Sequence, residues 1–397
     1  MATALIPTAK AVSAQERPLE VVLGLPGRNT AKRFYHPELD VLRFFAFSLV
    51  FIHHHFSAIP GQYAHLGRTI AVAVSSLAAA GGFGVDVFFV LSSYLITELL
   101  LREKTRGGSV DVKSFYIRRV LRIWPLYFFF LALAAMLSGP LDQHVKGTTI
   151  LAFLLFSGNW WMMFAGKMVS VINPLWSISV EEQFYLAWPP VIRNLSERGV
   201  LLVSCGMLLI SNSARICLAL LHLGSERYFW FNTLTRLDPI ALGIALAVLL
   251  GGRSPKFSRV QRLFLFVGSI FALIAAVNFL HTRSEPVSFV GVVLGYPIVA
   301  VCSVGLLLSL LTDTRPWYAR GPLVYLGRIS YGLYVFHLLA LKLADIIRAR
   351  IFLGHSNASM MGFALTVLLA ALSYQALEKP FLRMKERYSH VLSRPGG

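Results

Sequence analysis

The chain has 397 residues, of which 56% are hydrophobic and only 14% are charged, and its formal net charge is +18. Soluble domains are about 25% charged, so this composition argues against a soluble protein. The positive charge does not indicate a nucleic-acid partner, because much of it lies in short loops and termini, where the positive-inside rule and anionic lipid explain it. The three cysteines all lie in apolar runs, which argues against a disulfide framework and a cysteine metal site.

Residues 1–33 precede the first apolar run and are mixed in composition, with five Lys or Arg residues. No signal-peptide core or cleavage site is visible, so this stretch is interpreted as a disordered cytoplasmic tail. Residues 34–382 are predicted to form one transmembrane domain, and residues 383–397 a second cytoplasmic tail.

About ten stretches are long and apolar enough to be membrane-spanning helices, which predicts an all-α, polytopic bundle. They cover residues 42–58, 82–101, 122–138, 175–193, 200–222, 236–251, 262–281, 288–311, 324–346 and 359–381. An eleventh apolar run, 148–164, is ambiguous. The segment from Arg102 to Arg122 carries seven Lys or Arg residues and should be cytoplasmic, like the basic N-terminal tail. If 148–164 does not span, the later basic loops fall on that side too, and both termini are cytoplasmic.

The first predicted span has Arg43 near one end and His53, His54 and His55 at the other. Arg43 and His54 are separated by roughly 20° more than three full helical turns and by roughly 16 Å, so they share a face. The three histidines point in different directions and cannot chelate one metal by themselves. His54 is therefore the catalytic candidate, a satisfied bundle histidine being the alternative, while His53 and His55 are expected to tolerate substitution.

Arginines cluster at the start of the third predicted span. Arg119 and Arg122 are three residues apart, and Arg118 and Arg122 are four apart, so each pair shares a helix face. Paired guanidiniums at a cytoplasmic mouth suit a phosphate-bearing ligand. Anchoring to anionic lipid is the alternative interpretation.

Acidic residues also lie within predicted spans. Glu181 and Glu182 are roughly two turns inside the fourth span, where a carboxylate can pair with arginine, orient a histidine or titrate. His337 lies in the ninth span with two tyrosines nearby, and a structural role is favoured for it.

Seven blocks resemble the acyltransferase-3 family, the integral-membrane O-acyltransferases of cell-surface glycans and some small molecules. Three carry the charges described above: LDVLRFFAFSLVFIHHHF, with ten residues between Arg and His, FYIRRVLRIWPLY and LWSISVEEQFYLAWP. The others are GGFGVDVFFVLSSYLIT, TRLDPIALGIALA, YLGRISYGLYVFH and ALEKPF. The family usually has Ser-Gly-Phe or Ser-Gly-Tyr where this chain has Ser92-Ser93-Tyr94. Losing the glycine removes a close-approach point between helices and raises the question of an altered donor channel.

The resemblance implies transfer of an acyl group, usually acetyl, from cytoplasmic acyl-CoA to a hydroxyl at or beyond the outer face. His54 is the expected general base, oriented by Glu182 or Glu181. The CoA phosphates are expected to bind near the inner side, at Arg43, Arg119 and Arg122. The remaining expected substrate-binding residues lie at a depth similar to that of His54 and are Asp86, Arg236 and Asp238.

A second class of protein stays open on physical grounds, because intramembrane Arg, His and Glu also suit a proton-coupled transporter or a flippase of a glycan or lipid-linked sugar. Carriers often have two related halves, and none are visible in this sequence. The expected acceptor is a cell-surface or exported glycan, with a macrolide-type small molecule as the alternative. No metal is expected, and the expected location is the inner (plasma) membrane.

Overall fold

The computed structural model describes residue 28 and residues 34–143, 145–165, 170–222, 225–283, 285–314, 316–351 and 355–388. Within these ranges the regular structure is entirely helical, without β-strands, which confirms the predicted all-α class. Most of the predicted N-terminal tail, and residues 389–397 of the predicted C-terminal tail, lie outside the described residues.

The described residues form sixteen α-helices joined by short turns. They are α1 (Pro37–His55), α2 (Arg68–Gly81), α3 (Gly84–Gly107), α4 (Val112–Leu137), α5 (Gly147–Leu154), α6 (Gly158–Ala165), α7 (Leu175–Asn194), α8 (Glu197–Leu220), α9 (Arg227–Trp230), α10 (Leu237–Leu250), α11 (Arg259–Phe279), α12 (Tyr296–Leu310), α13 (Pro322–Arg328), α14 (Ser330–Ile351), α15 (His355–Ser373) and α16 (Lys379–Glu386).

Seven helical stretches within the described residues are long and apolar enough to cross a membrane, or eight if α1 and the bent turn Pro60–Leu66 count as one span. Two predicted spans, those of α7 and α10, are in neither count. α7 carries two glutamates and an arginine in its 20 residues, and α10 has only 14 residues. The ambiguous run 148–164 forms α5 and α6, and each, at about 12 Å, is too short to cross hydrocarbon.

The outer surface of the bundle is apolar. Large hydrophobic side chains are exposed on α8 and α11, and they include Leu202, Leu209, Phe264 and Phe271. Such faces would be unfavourable in water and suit lipid, where every backbone polar group must be satisfied inside its own helix. The protein is therefore a multi-pass membrane protein.

The helix α1 lies at the centre of the bundle, against α2, α3, α13 and α14. Two glycines allow the close approach of α2 and α3. A Cβ atom on Gly81 would lie 2.4 Å from the Leu49 carbonyl oxygen, and one on Gly84 would lie 2.4 Å from that of Ala46. The glycines therefore bring the break between α2 and α3 next to the histidines of α1.

Candidate active site

A cavity of about 200 Å³ lies among α1, α3, α4, α7 and α14. Its basic end is lined by Arg43 of α1, Arg119 and Arg122 of α4, and Lys385 of α16. The three residues that precede α1, 34–36, line the same end. The cavity thus brings together the three arginines that the sequence predicts as phosphate ligands, and adds a lysine from the predicted C-terminal tail.

The guanidinium groups in this cavity are held differently. Arg43 donates to Asp40 at 2.5 Å. Arg119 lies near the rings of Phe115 and Tyr185, at 5.3 and 5.5 Å from their centroids. Its Nε is buried without a hydrogen-bond partner among the described residues. Because a buried donor without a partner is costly, an anionic ligand group in the cavity beside Arg119 would be favoured.

The two glutamates of α7 face different surroundings. Glu181 lines the cavity beside the hydroxyl groups of Ser92 and Tyr185, which hydrogen-bond to each other. Glu182 accepts a hydrogen bond from Trp124 Nε1 at 3.1 Å, and its other carboxylate oxygen is buried without a partner among the described residues. Among the described residues, neither carboxylate hydrogen-bonds to His54.

Among the described residues, the side chain that hydrogen-bonds to His54 is His337 of α14. His54 Nδ1 lies 3.0 Å from the Val50 carbonyl oxygen and 3.3 Å from His337 Nε2. His337 Nδ1 lies 2.6 Å from the Tyr334 carbonyl oxygen. Since a carbonyl only accepts, both Nδ1 atoms carry the proton in this network. His337 Nε2 then accepts, and His54 keeps an unprotonated Nε2.

His54 is exposed and His337 is fully buried, so the pair joins an accessible surface to the bundle interior. Tyr334, one helical turn before His337, lines the inner cavity, and its ring centroid lies 5.7 Å from that of His337. The Tyr334 hydroxyl lies 2.6 Å from Ser177 Oγ, another cavity residue. The end of the cavity that contains Tyr334 and Ser177 is therefore adjacent to the histidine pair.

The other two histidines of α1 have separate partners. His53 Nδ1 lies 2.8 Å from the Ala78 carbonyl oxygen, and the His55 ring stacks on Phe51 at 5.9 Å between centroids. His53 is thus held against α2. Within the described ranges, no three His, Cys, Asp or Glu side chains are arranged to hold a metal ion.

Three of the expected substrate-binding residues lie apart from the cavity, in buried ion pairs. Arg236 donates to Asp86 at 2.6 Å, and Asp238 accepts from Arg215 and from Ser211. All four charged side chains are almost completely buried. This arrangement favours a structural role for Asp86, Arg236 and Asp238 over the substrate contact expected from sequence.

The unusual Ser93 faces away from the cavity. Its hydroxyl donates to carbonyl oxygens of its own helix, at Phe89 and Val90. A Cβ atom on Gly243 of α10 would lie 2.0 Å from Ser93 Oγ, so a glycine on the facing helix makes room for the serine. The cavity is lined by Ser92, and the substitution at the family's glycine position does not enter it.

Comparison with known families identifies the family of the chain. The family model described as "Acyltransferase domain" (acyltransferase-3) matches residues 36–375, and the chain belongs to this family. The resemblance drawn from the sequence blocks is thus confirmed.

Curated relatives carry related names. A Staphylococcus aureus protein with a provisional O-acetyltransferase name is 29% identical over 335 residues, covering 76% of this chain and 53% of the relative. The peptidoglycan O-acetyltransferase OatA of Listeria monocytogenes is 28% identical over 327 residues, covering 76% of this chain and 51% of the relative. The chain spans about half the length of these relatives. No solved structure gives a significant match.

Proposed function

We propose that the protein is a membrane O-acetyltransferase that moves an acetyl group from acyl-CoA, bound in the inner cavity, to a hydroxyl of a cell-surface or exported glycan. The observation that carries the proposal is the position of the His54–His337 pair, next to the far end of a cavity whose other end is basic. The names of the curated relatives support acetyl as the group and a glycan as the acceptor.

The donor site of this proposal is the basic end of the cavity. Arginine and lysine side chains bind phosphate groups through charge-assisted hydrogen bonds. Arg119 has a buried Nε without a partner among the described residues, and Arg122 and Lys385 line the same wall. These cations would hold the phosphates of CoA, while the apolar middle of the cavity, including Phe88 and Ile178, would enclose the pantetheine arm.

The chemical step of the proposal uses the free Nε2 of His54. This nitrogen takes the proton of the acceptor hydroxyl as the oxygen attacks the thioester carbonyl carbon. The C–O bond forms, the C–S bond breaks, and the proton passes to the departing thiolate. His337 stabilises the tautomer, because its Nε2 can accept only from a protonated Nδ1 of His54. The resulting imidazolium is also stabilised by the Val50 carbonyl oxygen.

The proposed topology has ten crossings with both termini in the cytoplasm, in the inner (plasma) membrane. It adds α7 and α10 to the eight apolar spans that are counted when α1 and its bent turn form one span. α7, at 20 residues, reaches about 30 Å, which is the thickness of the hydrocarbon core. α10 is shorter but follows directly on the helical turn Leu234–Arg236. Residues 34–382 form the catalytic domain in this proposal.

The experiment that tests the function uses purified protein in proteoliposomes with acetyl-CoA inside and a glycan fraction from the producing cells outside. Release of CoA inside together with O-acetyl ester on the outside glycan, measured by mass spectrometry, is the expected result. Movement of glycan across the bilayer without CoA release would instead support a carrier and overturn the proposal.

A further inference from the structure

A polar cluster lies next to His53, the neighbour of His54 in α1. It consists of Glu226, just before α9, Trp230 of α9, and Arg283, which follows α11. Arg283 pairs with Glu226, and its guanidinium carbon lies 3.8 Å from the centroid of the Trp230 ring. None of these residues lines the donor cavity.

Arg283 is fixed from three sides. Its Nη1 lies 3.0 Å from His53 Nε2, whose ring is already oriented by its Nδ1 hydrogen bond to Ala78. A carbonyl accepts from Nδ1, so Nε2 accepts from the guanidinium. A Cβ atom on Gly82 would lie 2.5 Å from Arg283 Nη1, so this glycine leaves the space that the side chain occupies. The arginine is therefore held rigidly although it lies near the surface.

The cluster remains accessible. The side chains of Arg283 and Glu226 are 19% and 23% exposed, unlike the ion pairs of Arg236 and Arg215, which are buried. Solvent screens a partly exposed ion pair more than a fully buried one, so stability alone does not account for an arginine held by a tryptophan, a histidine and a glutamate. A rigid, accessible donor and acceptor side by side are what a ligand with neighbouring hydroxyl groups requires.

The position of the cluster connects it to the reaction. The His53 ring contacts Arg283 on one side and lies 5.0 Å from the His54 ring on the other, measured between centroids. A hydroxyl compound held by Arg283 and Glu226 would thus lie one imidazole away from His54, whose free Nε2 is the base of the proposed function.

We infer that Arg283 and Glu226 form the acceptor subsite and bind a neutral polyhydroxyl compound, a sugar, through its neighbouring hydroxyl groups. The guanidinium donates to one hydroxyl oxygen, and the carboxylate accepts from another. Because Glu226 balances the charge of Arg283, the subsite favours a neutral sugar over an anionic one. This inference rests on the proposed function and specifies the acceptor of the same site.

The test measures acetyl transfer from acetyl-CoA to the glycan fraction of the producing cells, with the protein in detergent. We expect Arg283→Gln and Glu226→Gln to raise the apparent KM for the glycan at least about tenfold, with a smaller change in the KM for acetyl-CoA. The matched control is Arg227→Gln, in the same segment, since Arg227 lies near the ring of Tyr228 instead of Trp230. Arg283→Lys should be intermediate, because it keeps the charge but loses the planar fork.

A second measurement addresses charge selectivity. Methyl glucoside should compete with the glycan in the wild-type protein, and glucuronate should not. Glu226→Gln should admit glucuronate as a competitor, which a merely structural ion pair would not cause. The inference is overturned if neither compound competes, if glucuronate competes with the wild type, or if both variants lower kcat without changing the glycan KM. If the wild-type protein transfers acetyl to no hydroxyl compound, the proposed function fails instead.

Discussion

Two sets of arginines lie inside the bundle, and their surroundings differ. Outside the cavity, Arg236 and Arg215 are completely buried, and each pairs with an aspartate. Arg119 lines the cavity and forms no ion pair with a carboxylate among the described residues, although all three guanidiniums have a buried Nε without a hydrogen-bond partner there. The first set is neutralised by the protein itself. The second presents charge to a space large enough for a ligand.

The difference shows that an intramembrane charge is not by itself evidence of a binding site. Ionisable residues in a membrane are expensive and are good functional candidates by default, but a buried pair can also hold helices together. In this protein the pairs link α3 with the segment before α10, and α8 with α10. Four experiments test the roles of the residues in and around the cavity. The first concerns His54, the base of the proposed reaction.

The largest effect is expected at His54. His54→Ala removes the proposed base, and general-base catalysis contributes about 10²–10⁴-fold, so the transfer rate should fall by about three orders of magnitude. The KM for acetyl-CoA should change little, because His54 does not line the donor cavity. The measurement is acetyl transfer by purified protein at saturating acetyl-CoA.

His55→Gln is the matched control for this experiment, since the ring of His55 stacks on Phe51. It should retain most of the wild-type rate. Normal membrane expression of His54→Ala together with a full transfer rate would refute the assignment of the base.

The next effect is expected at the outer ion pairs and concerns stability. Asp86→Ala leaves Arg236 buried without its carboxylate, and breaking a buried pair costs about 3–5 kcal/mol. Thermal unfolding in detergent should therefore begin at a clearly lower temperature. The double variant Asp86→Ala, Arg236→Met removes both charges and should recover much of the loss.

If these residues instead contact substrate, the result would be different. The double variant would then be as inactive as the single one even where its thermal stability is restored. This outcome would mean that Asp86 and Arg236 belong to a substrate site.

A smaller effect is expected at Arg119. Arg119→Gln removes one phosphate contact, and a charge-assisted hydrogen bond is worth about 1.5–3 kcal/mol, so the KM for acetyl-CoA should rise at least about tenfold. Arg118→Gln is the control on the same helix, because Arg118 already pairs with Glu103 at 3.0 Å. Equal changes in KM for the two variants would mean that overall positive charge, and not the cavity, attracts the donor.

The smallest effect is expected at the serine pair of α3. Ser93→Gly restores the residue usual in the family and should leave the acetyl-CoA KM unchanged, because Ser93 faces Gly243. Ser92→Ala should raise that KM by a few-fold, because Ser92 lines the cavity and hydrogen-bonds to Tyr185. Steady-state kinetics of the two variants side by side would show which serine contacts the donor channel.

Periodicity within one helix predicted which side chains share a face. The spacing of Arg43 and His54 singled out the histidine that lies beside the cavity end, and the spacing of Arg119 and Arg122 placed both on one cavity wall. Local geometry suffices there because a helix determines which of its own residues share a face. The all-helical class follows equally directly from the length of the apolar runs.

Partners from other helices could not be predicted in the same way. The recorded side-chain partner of His54 is His337, nearly the whole chain away, and Glu182 is held instead by Trp124. Helical period gives no information on which helix packs against which face. A buried imidazole in an apolar helix was the only signal for His337, and that signal fits a structural role equally well. The number of spans was also hard to predict. α7 carries three charged residues and is not apolar enough to count as a span by hydropathy, yet many of its side chains are buried in the bundle.

The two ends of the described chain both reach the donor cavity. Residues 34–36, just before α1, and Lys385, in the last turn of α16, line the same end of the cavity. The proposed topology, with both chain ends on one side of the bilayer, agrees with this arrangement. A chain with both ends on one side crosses an even number of times. Fluorescent reporters fused before residue 34 and after residue 388 should accordingly respond to the same aqueous compartment.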